Sequence, residues 1–285
     1  MSQRREPGAI VVTGAARGMG AAAARRLYAK STPMLLVDID EAGARVMADE
    51  LGDDADVAVC DVSDPDAVAA LADRVRDLGG LRSLAHAAGI SPTMADWRRV
   101  IEVDLVGTAL LVRALEPLTS PGSAAVCWAS IAGHGVAPDP ELDAELDDPL
   151  APGFLDRVAD VAGERLTGAG QGYGYAKRGV MRLVARQAVA WGMRGARICS
   201  ISPGIIDTPQ GRQEFEHQPA MAMMIELTPI KRWGQPAEIC NVVAFLLSED
   251  ASYMTGCDVV IDGGISSRMR DIMDAEAARV AADGG

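Results

Sequence analysis

Tyr173 stands four residues before Lys177 in a chain with only four Tyr and three Lys. Such a pair is expected about 0.04 times by chance in a sequence of this composition. On a helix, positions four apart share a face, so a phenol and an ammonium would point the same way. That is proton-transfer chemistry, because a nearby positive charge favours phenolate. A Lys among many Arg also has a physical reading: a compact ammonium can reach a ribose and a phenol from one point. Tyr175 has the wrong spacing for this pair and is expected as a neighbour of the pocket.

A second stretch, Thr13-Gly14-Ala15-Ala16-Arg17-Gly18-Met19-Gly20, could hold an anion. It follows the apolar run Ala9 to Val12, read as a strand, and precedes Ala21 to Ala29, read as a helix. Helix N-termini leave amide N–H groups unpaired, and glycines let a pyrophosphate approach the backbone. Gly14 is expected to make the tight turn, Gly18 to allow close approach, and Gly20 to let the helix pack on the sheet.

Elements that could position these groups alternate along the whole chain. Further strands are read at Met34–Val37, Asp56–Cys60, Ser83–Ala87, Ala124–Ala129, Ala196–Ile201 and Asp258–Ile261, with helical segments between. The fold class is therefore α/β: one Rossmann-type, doubly wound parallel sheet of about seven strands with helices on both faces, spanning residues 1–285. Right-handed crossovers put every strand's C-terminal end on one edge, where ligands bind. The glycine turn, Asp38, Asp61, Gly89, Ser130 and Pro203-Gly204 all fall at those ends. Two segments break the rhythm: His134 to Gly170, too long for an ordinary connection, and the tail 265–285, read as a short amphipathic helix.

Bulk properties narrow the function classes. A net charge of −13 argues against nucleic acid or an anionic membrane as partner. No apolar run is long enough to span a bilayer, and Met1 to Pro7 is polar. The five cysteines lack Cys-x-x-Cys spacing and read as buried free thiols in a reducing cytoplasm. The three His lie far apart, so no metal site is expected.

Together, Thr13-Gly14-x-x-x-Gly18-x-Gly20, Ser130, Tyr173-x-x-x-Lys177, Pro203-Gly204 with Thr208, and Asp262-Gly263-Gly264 stand in an order that resembles the classical short-chain dehydrogenases/reductases. The resemblance runs from about Ala9 to Gly264. It implies a nicotinamide cofactor, hydride transfer at an alcohol or carbonyl carbon, and a homo-oligomer, dimer or tetramer. Carried onto this sequence, it makes Tyr173 the general acid/base. Lys177 would lower the phenol's pKa and hold the nicotinamide ribose, and Ser130 would hydrogen-bond the reacting oxygen. Cofactor contacts are expected from Gly14, Arg17, Gly18, Met19, Gly20, Asp38, Asp61, Val62, Ala88, Gly89, Tyr173, Lys177, Pro203, Gly204, Ile206 and Thr208. Asp38 at the end of the second strand reads NAD, since a carboxylate there accepts from ribose hydroxyls and repels a 2′-phosphate. Arg17 is the contrary sign, favouring NADP.

The chain departs from the family pattern in three places. His86-Ala87 replaces the usual Asn-Asn, removing a side chain that braces the sheet. Asp104 replaces an Asn proposed as a member of a catalytic tetrad. Its carboxylate would stabilise Lys177 as ammonium, or the change is neutral and its backbone carbonyl holds a proton-relaying water. Ser130 and Tyr173 lie 43 residues apart, far more than usual. The surplus, 134–170, resembles an insertion in some bacterial hydroxysteroid dehydrogenases and carbonyl reductases. It is a wall or lid over the cleft, an extra subunit contact, or a surface excursion. The segment Pro219 to Leu227 is rich in Met and suits either an adaptable apolar pocket or core filling.

The expected function is an NAD-dependent oxidoreductase interconverting a secondary alcohol and a ketone on an apolar, steroid- or terpene-like substrate. A non-catalytic NAD(H)-binding sensor, or an epimerase or dehydratase on the same scaffold, are the alternatives.

Overall fold

The computed structural model describes residues 8–217 and 220–283; the polar stretch Met1–Pro7, Gln218, Pro219 and the last two residues lie outside it. Seven strands form one parallel sheet in the order β3-β2-β1-β4-β5-β6-β7. They are β1 (Ala9–Thr13), β2 (Met34–Asp38), β3 (Ala55–Val59), β4 (Leu81–His86), β5 (Thr119–Trp128), β6 (Arg197–Pro203) and β7 (Asp258–Ile261). The α/β reading from sequence is thus confirmed. Strand ends move by a few residues, most at β5, which starts at Thr119 because an irregularity in its pairing with β4 absorbs Ser120 to Ser123. The chain leaves β1 toward β2 and β3 and later returns to β4 on β1's other side, so the β1/β4 boundary is the topological switch point.

The helices before β5 are α1 (Gly18–Leu27), α2 (Glu41–Leu51), α3 (Pro65–Asp77), α4 (Trp97–Ile101) and α5 (Gly107–Leu115). Local chemistry starts several of them. Asp40 accepts from Gly43 N at the head of α2, and Asp64 accepts from Asp66 N with Pro65 opening α3. The helix read from about Met94 begins at Trp97, where Asp96 caps it. A π-helical turn, Glu102–Val106, joins α4 to α5, and Asp104 sits in it.

After β5 come α6 (Ile131–His134), α7 (Pro140–Leu146), α8 (Phe154–Ala162) and α9 (Ala169–Met193), which carries Tyr173 and Lys177 in its first turns. One apolar core lies on the α3, α5 and α9 face of the sheet, the other on the α1 and α2 face. Leu142, Leu146, Phe154, Val158 and Ala162 from the insertion belong to the first of these. Arg178 Nε meets Asp143 Oδ1 at 2.5 Å and Arg182 Nη2 meets Asp147 Oδ2 at 2.8 Å, fastening α7 along α9. Residues 136–169 contribute nothing to the cleft lining. The wall expected of 134–170 is therefore confined to its ends, His134, Gly135 and Gly170, which do line the cleft. Too many apolar side chains point inward for a surface excursion, and their burial sets α7 against α9 and α8 against α7.

The cover comes from elsewhere. Helices α10 (Pro209–His217) and α11 (Ala220–Leu227) follow β6, α12 (Pro236–Leu247) precedes β7, and α13 (Ile265–Asp283) ends the described chain. The expected short tail helix is 19 residues long, packs against α11, and brings Ile265, Met269 and Met273 to the cleft.

Candidate active site

One cleft of about 1080 Å³ opens along the C-terminal strand ends. At its β1 end, Gly14 takes φ +67°, and a Cβ there would meet Ala88 N at 2.9 Å. A Cβ on Gly20 would lie 2.0 Å from Gly14 O and 3.0 Å from Thr13 O, so this glycine packs the helix against its own turn and the end of β1. Helix α1 starts with no side-chain cap and no acidic residue in its first turn. Its amide N–H groups are therefore free for an anionic ligand, as a pyrophosphate site requires. Asp38 Oδ2 accepts from Ala16 N and Oδ1 from Asp40 N, both at 2.9 Å, which fixes the carboxylate at the cleft edge. An ionised carboxylate has about four lone-pair sites, so acceptors remain. The residues fit a dinucleotide.

At the other end, Ser130 caps α6, its Oγ accepting from Ala132 N at 3.2 Å, and its hydroxyl stands close enough to the Tyr173 phenol to favour the ionised form. Gly14, Arg17, Gly18, Met19, Gly20, Asp38, Asp61, Val62, Ala88, Gly89, Ser130, Tyr173, Pro203, Gly204, Ile206 and Thr208 all line the cleft. Lys177 and Asp104 do not; they form the layer behind Tyr173. Lys177 is 5% exposed, donates to Trp128 O at 3.2 Å, and holds its Nζ 5.4 Å from the Tyr173 ring centroid. Its ion pair with Asp104 Oδ2 is 3.0 Å long, both side chains being buried. Asp104 Oδ1 accepts from Ile90 N at 2.8 Å.

Electrostatics correct one expectation. Burial raises the Tyr173 phenol above its ordinary value; Lys177 lowers it as expected, but Asp104 and Glu214 push it up again, and the net direction is upward. Burial opposes the charge on Lys177, yet the Asp104 carboxylate and Tyr173 outweigh it and raise its pKa. Lys177 is an ammonium spoken for by Asp104, so much of its pull on the phenol is cancelled.

His86 and Asp104 belong to one hydrogen-bonded chain. Thr108 Oγ1 donates to Asp104 O at 2.6 Å, so it must accept from His86 Nε2–H at 2.9 Å. His86 Nδ1 then accepts from Thr13 Oγ1–H at 2.7 Å, and Thr13 Oγ1 accepts from Ala88 N at 3.1 Å. Burial holds this imidazole neutral, its pKa pushed down to about 3. His86 thus braces β1, β4 and the π-helical turn in place of the side chain that the sequence pattern lacks. The Asp104 carbonyl receives Thr108 Oγ1–H on one of its two lone pairs, which leaves one acceptor site for the relay water.

Two other expectations change. Tyr175 is in the core, 6% exposed, and does not line the cleft. In the Met-rich segment, Met221 and Met224 reach the cleft whereas Met223 is 63% exposed. Sequence reasoning missed Glu214, which lines the cleft from α10; nothing in its spacing marks it.

A family model described as Enoyl-(Acyl carrier protein) reductase matches residues 14–144 and 157–266. The cis-4-hydroxycyclohexanecarboxylate dehydrogenase of Sinomonas cyclohexanicum is 33% identical over 90% of this chain and 96% of its own. The cyclohexanol dehydrogenase of Acinetobacter sp. (strain SE19) is 32% identical over 94% and 98%. The crystal structure of levodione reductase superposes with a TM-score of 0.72 at 30% identity, covering 93% of this chain and 99% of that one. With a fold, a glycine turn and a Ser-Tyr-Lys cluster of this kind, the chain belongs to the short-chain dehydrogenase/reductase family. It is an oxidoreductase of the alcohol dehydrogenase/ketone reductase class, which works with nicotinamide cofactors.

Proposed function

We propose that the protein interconverts a cyclic, largely apolar secondary alcohol and its ketone using NAD(H). The observation that carries this is the convergence of Ser130 and Tyr173 on the same cleft as the uncapped α1 N-terminus and Asp38. The glycine turn, the α1 N-terminus and Asp38 would hold a nicotinamide dinucleotide, which would supply the hydride acceptor or donor for the alcohol carbon. Tyr173 takes the hydroxyl proton during oxidation and gives it back during reduction. Ser130 holds the reacting oxygen, and Lys177, anchored by Asp104, fixes the charge beneath the phenol. Asp38 favours NAD because its fixed carboxylate would lie against a 2′-phosphate; Arg17 also lines this end but is exposed. Methionines at 221, 224, 269 and 273 supply an apolar, adaptable wall, and the relatives named above act on cyclic substrates by their names. Free thiols at all five cysteines support a cytoplasmic setting, and the family resemblance supports a homo-oligomer. Among the described residues no helix is long and apolar enough to cross a membrane.

Absorbance of the reduced cofactor, followed across cyclic secondary alcohols and ketones with NAD(H) and NADP(H), tests the reading. Turnover with higher kcat/KM for NAD(H) is expected. A clear NADP(H) preference would overturn the cofactor assignment. A flat trace across the panel, with cofactor bound, would instead point to a sensor or to a reaction that regenerates its cofactor.

A further inference from the structure

The substrate end of the cleft is walled by methionine side chains from α11 and α13, and one half-buried carboxylate, Glu214, faces in from α10. Among the described residues no Lys, Arg or His forms an ion pair with it. The groups that favour its charge are neutral: Gln210 Nε2 donates at 3.5 Å, and the hydroxyl of Ser91, a residue fully buried in the loop after β4, stands nearby. That hydroxyl is shared, since Ser91 Oγ also lies 2.6 Å from Thr93 Oγ1. A carboxylate offers about four acceptor sites and is costly to withdraw from water without donors. Glu214 is thus held in an apolar wall with acceptor capacity to spare. It is also near enough to the reacting centre for its charge to act on both Tyr173 and Lys177.

Resting on the alcohol/ketone reading above, we propose that Glu214, supported by Gln210 and Ser91, is a specificity-determining subsite that accepts a hydrogen bond from a second hydroxyl on the substrate. The preferred substrates are then cyclic diols or hydroxyketones rather than plain cycloalkanols. An anionic group at this position would meet the Glu214 charge, and an ammonium would have to be stripped of water against the methionine wall; a neutral hydroxyl meets neither penalty. The donor must sit on a carbon other than the one oxidised, because Ser130 and Tyr173 occupy the reacting oxygen.

Steady-state kinetics of the full-length enzyme with saturating NAD, comparing cyclohexanol with cis- and trans-cyclohexane-1,2-diol and -1,3-diol, test this. A hydrogen bond to a charged acceptor contributes enough for a preference of about tenfold to a hundredfold in kcat/KM for at least one diol. In Glu214→Leu the diol-to-cyclohexanol ratio should fall toward unity, chiefly through a raised KM for the diol. Glu214→Gln, which keeps an acceptor oxygen, should restore part of it. Equal efficiency on cyclohexanol and every diol in the wild-type enzyme, or an unchanged ratio in Glu214→Leu, would overturn the subsite while leaving the alcohol reading intact. Absence of turnover on all the alcohols with either cofactor would sink both.

Discussion

Tyr173→Phe will lower turnover by about two to four orders of magnitude, the usual worth of a positioned general acid/base. The substitution deletes one oxygen and keeps the ring against which Lys177 Nζ rests, 5.4 Å from the centroid. Lys177 retains Asp104 and Trp128 O as partners, so the layer behind the cleft has no reason to rearrange. The Ser130 hydroxyl loses the phenol but stays engaged with Ala132 N. Dinucleotide binding, measured by quenching of the reduced cofactor's fluorescence, should therefore persist while hydride transfer collapses. A variant that kept its rate within tenfold would remove Tyr173 from the chemistry.

Asp104→Asn should shift the pH dependence and weaken the fold together. The carboxylate raises the Tyr173 phenol, so its removal lowers that pKa over the range in which Lys177 keeps its proton. Alcohol oxidation needs phenolate and rises with pH toward the phenol's pKa. In the variant this rise should therefore move to lower pH, and ketone reduction, which needs the protonated phenol, should begin to fail at lower pH too. Asn still offers an oxygen to Ile90 N, but Lys177 loses its only ion-pair partner among the described residues. Removing one member of a buried pair typically costs about 3–5 kcal/mol, so the thermal midpoint should drop clearly. Superimposable pH profiles of kcat/KM and an unchanged melt would show that the Asp104 charge does neither job.

What could be read from the sequence was local. The strand, glycine turn and helix of residues 9–27 are contiguous, and Tyr173 and Lys177 share a helix face by spacing alone. Tyr175 was open to the same reasoning: two positions are about 200° around a helix, which points it away from Tyr173 and into the core. The pieces that stayed hidden depend on chain segments far apart in sequence. Asp104 beside Lys177 is expected only through the family resemblance, because the pair forms where the π-helical turn is brought under α9. Periodicity shows that Leu142, Leu146 and Val158 are buried but not against what; only the packed structure sets α7 against α9 and α8 against α7 rather than over substrate. Glu214 and the long C-terminal helix reach the cleft through the arrangement after β6, which no short-range pattern encodes.

The neutral His86 has a consequence for the molecule in acid. An unfolded chain protonates this imidazole below about 6.5, whereas the folded one refuses the proton until about 3. Between those values the unfolded state binds the extra proton, so stability falls as pH falls, by up to about 1.4 kcal/mol for each unit from this residue alone. Urea denaturation at stepped pH should show that slope in the native protein and a shallower one in His86→Asn. The same imidazole that ties two strands to the catalytic turn thus leaves the enzyme suited to a near-neutral medium and vulnerable to souring of its surroundings.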